Sequence, residues 1–240
     1  MSKLLKGMIA LAVIGIIGAG ALYYFVIRND SPDAVSIDGA VEAVRQSNPG
    51  ASSSASGDDR DRALAGTWNV VQGQNSFVGY RVQEELAGVG TTTAVGRTNG
   101  VTGNLNFDGD RITAVQVTAD LTQLKSDKPQ RDGQLRRQSI ETDKFPNATF
   151  ALSEPISIDS VPAAGQKMDQ TVKGKLTLHG VTRDVSLQAQ GVIEGEQLIV
   201  VGSTPILFAD YGIAKPQAQA VLGVEDKGIM EFQLVFAKAA

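Results

Sequence analysis

Residues 131–150 read RDGQLRRQSIETDKFPNATF and separate two long runs of strand-like sequence. The stretch combines clustered basic residues with few apolar ones. It begins with turn chemistry at Asp132-Gly133 and continues through a helix-compatible piece, Gln134–Ile140. It ends at Phe145-Pro146-Asn147, after which apolar and polar residues alternate again. This pattern predicts a short helical capping segment between two halves of one β-structure.

Apolar residues alternate with polar ones on both sides of this segment, as expected for strands with one face inward and one in water. The alternating sets are Val78, Tyr80, Val82 and Leu86; Val115, Val117, Ala119 and Leu121; Val172, Leu176 and Leu178; Val181, Val185, Leu187 and Ala189; and Met230, Phe232, Leu234 and Phe236, opposite Glu231 and Gln233. No helical pattern is long enough for crossovers between parallel strands, so we expect an antiparallel sheet. About eight strands of this length predict a closed barrel or a sandwich.

Several residues that should face inward are small, which favours a cavity over a filled core. They are Ala119, Ala151, Gly174, Ala189 and Gly191. An eight-stranded barrel has room for one small ligand. Glycine in a strand also marks bulges, so a second interpretation stays open. In it, side chains fill the barrel and the loops of the protein bind a protein partner.

Charge and composition exclude several classes of protein. The net charge of −4 argues against a nucleic-acid-binding protein. The chain has no cysteine, which excludes disulfides and thiolate metal sites. Its single histidine, His179, excludes a multi-histidine metal site. Because no motif places a nucleophile beside a base, we expect no metal, no cofactor and no catalytic residue.

The first 28 residues predict a transmembrane anchor. Gly7–Ile27 is uncharged and, at roughly 1.5 Å per residue, long enough to cross a hydrocarbon core of about 30 Å. Lys3 and Lys6 precede this run and acidic residues follow it. The positive-inside rule then puts the N-terminus in the cytoplasm and the rest of the chain outside, attached to the cell membrane by a single span. The alternative is a cleaved signal peptide, with its cleavage site at Ala19-Gly20-Ala21.

Residues 29–65 predict a flexible extracytoplasmic linker, and residues 66–240 form the predicted β-domain. Residues 49–61, PGASSSASGDDRD, have the composition of a flexible chain. Ile37–Gln46 fits an amphipathic helix, but one too short to be stable alone.

The β-domain resembles the YceI-like, polyisoprenoid-binding domains of bacteria. The similarity rests on short motifs that follow one another in the family's order: Trp68-Asn69-Val70, Asn75 to Tyr80, Gly96-Arg97 to Gly103, Arg131-Asp132-x-x-Leu135-Arg136, Phe145-Pro146-x-x-Thr149-Phe150, Leu176-x-x-x-Gly180-Val181-Thr182 and Tyr211-Gly212-Ile213. The resemblance implies a lipocalin-like, eight-stranded antiparallel barrel that holds an isoprenoid or similar amphiphilic lipid. The sequence departs from the family at Asn75 and Glu84, where the family has histidines.

The residues expected to line the cavity lie on the apolar faces of the strands: Val78, Tyr80, Val82, Glu84, Val117, Ala119, Phe150, Leu176, Leu187, Phe232 and Leu234. Glu84 either hydrogen-bonds the polar end of a ligand or lies at a wet rim or past a bulge. Arg136 is a further candidate, because it or Arg137 could contact an anionic head group. In the alternative interpretation, Arg131, Asp132 and Arg136 pair with one another and hold the cap.

These patterns together predict a non-enzymatic, membrane-tethered lipid-binding protein outside the cytoplasm, for storage, transport or stress-related handling of its ligand. We expect His179, in a turn beside Gly180, to face solvent. An enzyme that acts on lipid through Glu84 and His179 is a weaker hypothesis. The sequence also leaves a homodimer open.

Overall fold

The structure, a computed structural model, describes residues 31–47, 64–73, 75–158, 162–216 and 221–239. The predicted anchor therefore lies outside the described residues. Within those ranges, we find no helix with the length and apolar character that crossing a membrane requires.

The described strands belong to one antiparallel sheet. They are β1 (Gly66–Val70), β2 (Phe77–Leu86), β3 (Gly90–Thr98), β4 (Val101–Phe107), β5 (Arg111–Asp120), β6 (Lys125–Ser126), β7 (Asn147–Leu152), β8 (Ile156–Ser157), β9 (Lys167–Leu178), β10 (Val181–Glu194), β11 (Gln197–Leu207), β12 (Val221–Val224) and β13 (Lys227–Lys238). Eight of these described strands form a closed ring in the order β1, β4, β5, β7, β9, β10, β11 and β13, and β13 pairs back onto β1. The predicted eight-stranded antiparallel barrel is thus confirmed, and closure leaves the ring without free edges.

The barrel wall is extended at one end by two further strands. Residues Ile229–Gln233 of β13 pair with β2, whereas Phe236–Lys238 pair with β1. β3 lies between β2 and the short β6, and these two are its only partners among the described strands. Leu207 of β11 pairs with Lys227 of β13 at this end. We call residues 129–145 the cap, and we call this end of the barrel the cap end because the cap lies over it.

The cap is helical, as predicted, but its turns differ from the expectation. Helix α2 (Pro129–Gln134) has Pro129 in its first turn, where a missing N–H does no harm, and a π-helical turn (Leu135–Ser139) follows it. The turn expected at Asp132-Gly133 is part of α2. The Asp132 carboxylate does not close a turn on its own backbone, because it accepts hydrogen bonds from Ser126 N at 2.9 Å and Ser126 Oγ at 2.6 Å. These bonds fasten the cap to β6.

Residues 31–47, which we call the strap, pack on the outside of the barrel. Helix α1 (Ile37–Ser47) buries Ile37, Ala40 and Val44 against an apolar patch on β10, β11 and β13. An isolated helix of 11 residues is marginal in water, so this tertiary packing stabilises it. The described part of the predicted linker is therefore not a free chain, while residues 48–63 lie outside the described residues.

The strap also covers a buried ion cluster on the outer face of β2, β3 and β13. Glu231 is 1% exposed and pairs with Arg81 at 2.8 Å and with Arg97 at 2.7 Å. The two guanidinium groups donate further hydrogen bonds to the carbonyl oxygens of Pro32 and Asp33. The alternation placed Glu231 on a solvent face, and that expectation is wrong because the strap covers this face.

Candidate functional site

A cavity of about 190 Å³ with an almost wholly apolar lining lies inside the barrel. Every strand of the closed ring contributes inward side chains to it. Predicted residues that line it are Val78, Val117, Ala119, Phe150, Leu176, Leu187, Phe232 and Leu234. The structure thus brings these residues together, and their contact with a ligand stays a prediction.

The end of this cavity opposite the cap is lined by residues that the sequence patterns did not single out. Leu64, Ile156, Ile158 and Pro162 line the cavity there. Leu64 lies just before β1, and its carbonyl accepts a hydrogen bond from Trp68 Nε1 at 2.9 Å. Ile156 and Ile158 are separated by the polar Ser157, as in a strand with one apolar face. β8 has only two residues, which is too short for this pattern to be recognised in the sequence.

Not all the small residues expected to face inward leave open space. Ala119, Ala189 and Gly191 do line the cavity. At Gly174, the missing side chain is replaced by the Phe150 ring, which occupies the position that a Cβ would take. Ala151 is exposed and faces outward, so its assignment to the interior is wrong, because its inward neighbour on β7 is Phe150.

A second cavity, of about 130 Å³, lies between the barrel and the cap. Tyr80, Val82 and Glu84 line it from β2, and Arg131 and Ser139 line it from the cap. Four residues line both cavities: Val78, Ala148, Leu176 and Met230. The two cavities therefore adjoin, and the second one adds polar groups to an otherwise apolar interior.

Glu84 faces inward and is neither at a wet rim nor past a bulge. It is 8% exposed, and its carboxylate is paired with the Arg131 guanidinium, which also pairs with Asp127. Burial works against the charged form of Arg131, but the hydrogen bond and charge of Glu84 outweigh it and raise the pKa of Arg131.

Two hydroxyl groups at this second cavity are buried without a hydrogen-bond partner among the described residues: Tyr80 Oη and Ser139 Oγ. Burial raises the pKa of Tyr80, so its phenol stays neutral. Buried hydroxyls usually find a partner, and an oxygen atom on a bound ligand would supply one.

Arg136 does not line either cavity. The π-helical turn leaves it exposed, and its Nη2 donates to the Thr122 carbonyl at 3.2 Å. The pairing expected among Arg131, Asp132 and Arg136 is also absent, since Arg131 pairs with Glu84 and Asp127. Arg131, which the sequence patterns indicated as purely structural, is thus the arginine at the cavity.

His179 is not a solvent-facing residue, contrary to expectation. Its side chain is 11% exposed, and its ring packs edge-on against Phe145 at 4.5 Å. Nδ1 lies 2.9 Å from the Tyr211 carbonyl and Nε2 lies 3.0 Å from Glu141 Oε2. The Tyr211 carbonyl and the Glu141 carboxylate therefore hold the ring from both sides. His179 fastens the cap to the β9–β10 hairpin.

The fold and its cavities define a class: a lipocalin-like closed antiparallel barrel with an apolar interior. The chain belongs to the YceI-like domain family, whose model matches residues 68–236. The resemblance drawn from the short motifs is therefore confirmed.

Relatives and solved structures agree with this assignment. A UPF0312 protein of Shewanella oneidensis is 31% identical over 151 residues, which cover 59% of this chain and 73% of the relative. A solved polyisoprenoid binding domain from Saccharophagus degradans, implicated in plant cell wall breakdown, matches with a TM-score of 0.55 at 17% identity, over 71% of this chain and 98% of that chain. Burkholderia cenocepacia BcnA matches with a TM-score of 0.51 at 21% identity, over 67% of this chain and 95% of that one. At these identities the solved structures establish the likeness of fold.

Proposed function

We propose that this protein is a lipid-binding protein that holds an isoprenoid or similar amphiphile inside the barrel. The observation that carries the proposal is the almost wholly apolar cavity inside the barrel, continued by a second cavity with a few polar groups. Burial of about 15 carbons at ~0.8 kcal/mol each would yield ~12 kcal/mol before the costs of association. The Saccharophagus degradans structure, described as a polyisoprenoid binding domain, supports the choice of ligand class.

The arrangement favours binding over catalysis. Of the ionisable groups that line the second cavity, Glu84 and Arg131 are paired with each other, and burial keeps the Tyr80 phenol neutral. His179 is engaged between Tyr211 and Glu141, away from both cavity linings. The alternative of an interaction module requires a filled barrel, and two cavities in its interior oppose it.

The proposal includes attachment to the outer face of the cell membrane. The support is in the sequence: an uncharged run, Gly7–Ile27, with lysines before it and acidic residues after it. A protein held at the membrane would exchange a membrane-derived ligand over a short distance. A homodimer stays a prediction from the sequence.

Native mass spectrometry of the full chain, purified from membranes in mild detergent, tests this function. We expect an adduct whose mass, after solvent extraction, matches a lipid with a long unsaturated chain. A second preparation, stripped of lipid and offered geranylgeraniol, should bind one molecule per chain. Failure of both the native and the stripped protein to hold any lipid would overturn the proposal.

A further inference from the structure

Apolar side chains are exposed together on the outside of the barrel at the cap end. Leu207 is 51% exposed and Ile229 is 36% exposed. Register pairs Leu207 with Lys227 and Pro205 with Ile229, so these four side chains share the outer face of β11 and β13. We call Pro205, Leu207, Lys227 and Ile229 the outer patch. At the same end, Leu222 of β12 is 65% exposed.

The strap begins beside this outer patch. Ile229 is paired with Arg81 in the β2–β13 ladder, and Arg81 donates to the Pro32 carbonyl. Arg97 holds the next residue, with Nη2 2.9 Å from the Asp33 carbonyl, and Ser31 Oγ donates to the Thr93 carbonyl. The chain is therefore fixed to the barrel wall from residue 31 onward, next to the exposed apolar residues.

The chain between the predicted membrane span and this attachment is short. Only Arg28, Asn29 and Asp30 separate Ile27 from Ser31. Fully extended, four steps of roughly 3.5 Å reach ~14 Å. The head-group layer on each side of a bilayer is itself roughly 5–7 Å thick. A free linker over residues 29–65 would have allowed tens of Å, so the strap shortens the reach considerably.

We propose that the outer patch, together with Leu222, is the surface by which the barrel lies against the lipid bilayer. This inference rests on the membrane attachment proposed above. The short connection brings the cap end to the head groups, where Leu207, Ile229 and Leu222 can enter the interface and Lys227 can meet anionic lipid. Ile229 also lines the second cavity, beside Ile206 and Phe208. The bilayer would thus touch the wall of the ligand cavity, which suits direct transfer of a lipid between them.

Single-cysteine labelling tests this orientation cleanly, because the natural chain has no cysteine. Leu207→Cys and Leu222→Cys probe the cap end. Asp110→Cys and Glu196→Cys, exposed positions in turns at the opposite end, are the matched controls. Each full-length variant is labelled with an environment-sensitive fluorophore and reconstituted into vesicles of neutral and anionic phospholipid. We expect blue-shifted emission, quenched by lipids with a spin label near the head group, at positions 207 and 222 but not at 110 and 196.

An insertion variant tests the role of the short connection. About ten Gly and Ser residues placed between Asp30 and Ser31 add roughly 17 Å of reach, and we expect them to weaken the quenching at positions 207 and 222. Equal water exposure at all four positions, or contact at the opposite end, would overturn the docking surface. Extraction with alkaline carbonate separates the two proposals: a released protein refutes membrane attachment and the inference with it. A retained protein whose cap-end labels stay in water refutes the docking surface alone.

Discussion

Arg131 of the cap pairs with Glu84 of β2, 47 positions earlier in the chain, and their side chains are only 15% and 9% exposed. This ion pair joins the cap to the barrel wall at the lining of the second cavity. The pair also explains how a carboxylate can occupy an inward position in an otherwise apolar interior, since a buried charge requires a partner.

Removal of one partner of this pair should be costly. Arg131→Met leaves the Glu84 carboxylate buried with no counter-charge in contact, and we expect a loss of about 3–5 kcal/mol in the free energy of unfolding. The double variant Arg131→Met with Glu84→Gln should recover much of that loss. Urea unfolding measures both. Lys144→Ala, which removes an exposed pair with Glu141, is the control and should cost less than about 1 kcal/mol. Equal small effects in all variants would contradict the importance of the buried pair.

Filling of the larger cavity should abolish lipid binding without loss of the fold. Ala119 lines this cavity from β5, and Ala119→Leu adds side-chain volume where the ligand would lie. Thr118→Leu adds a similar volume on the opposite, outer face of the same strand and should leave binding unchanged. Native mass spectrometry measures the lipid content of each variant, and the far-ultraviolet circular dichroism spectrum shows whether its fold is retained. Unchanged lipid content in Ala119→Leu would contradict the assigned cavity.

Gly174 should not tolerate even one methyl group. A Cβ there would overlap the Phe150 ring and lie 2.6 Å from the Ala151 carbonyl oxygen. We expect Gly174→Ala to lower the free energy of unfolding by about 1–3 kcal/mol. Gly223→Ala is the matched control, because a Cβ at Gly223 would have no neighbour within 4 Å. Similar unfolding midpoints for the two variants in urea would show that Phe150 moves aside freely.

The strap should contribute to stability although it lies outside the barrel. Ile37 is 3% exposed under α1, and Ile37→Ala should cost about 2–5 kcal/mol as for other buried aliphatic truncations. Glu42→Ala, on the exposed side of α1, should change the unfolding free energy by no more than about 0.5 kcal/mol. If residues 31–47 were a free linker, the two variants would be indistinguishable by urea unfolding.

The contact of the cap with His179 should weaken in acid. A hydrogen bond from Lys144, and then one from His179, lowers the pKa of Glu141 below its usual value of 4.5. A lowered pKa in the folded state means that the stabilisation is present above about pH 4.5 and is lost as the pH falls through the folded pKa. Glu141→Gln should therefore flatten the pH dependence of stability in this window, whereas Asp143→Asn, exposed in the same loop, should leave its shape unchanged. Parallel curves for the wild type and Glu141→Gln, from urea unfolding between pH 3 and 7, would contradict this.

Much of the barrel could be predicted from local pattern. Val117 and Ala119, and likewise Phe232 and Leu234, could be assigned to the inward face because residues two positions apart in a strand point to the same side of the sheet. Closure into a ring with a cavity follows less directly, yet the small inward residues Ala119 and Ala189 indicated it. The cap was recognisable because its residues break the alternation.

Long-range contacts decided the remainder. The partner of Glu84, the enclosed position of His179 and the outward position of Arg136 depend on segments far apart in the chain, and no local spacing encodes them. The strap is the clearest case. Ile37, Ala40 and Val44 belong to a helix too short to be stable alone, and apolar residues on β10, β11 and β13 supply the surface on which they pack. Residues 131–150 show the effects of both the local sequence and the long-range contacts. Their sequence predicts a helical cap over a β-structure, but the buried pair of Arg131 with Glu84, which brings charge to the cavity, arises only when the barrel closes beneath it.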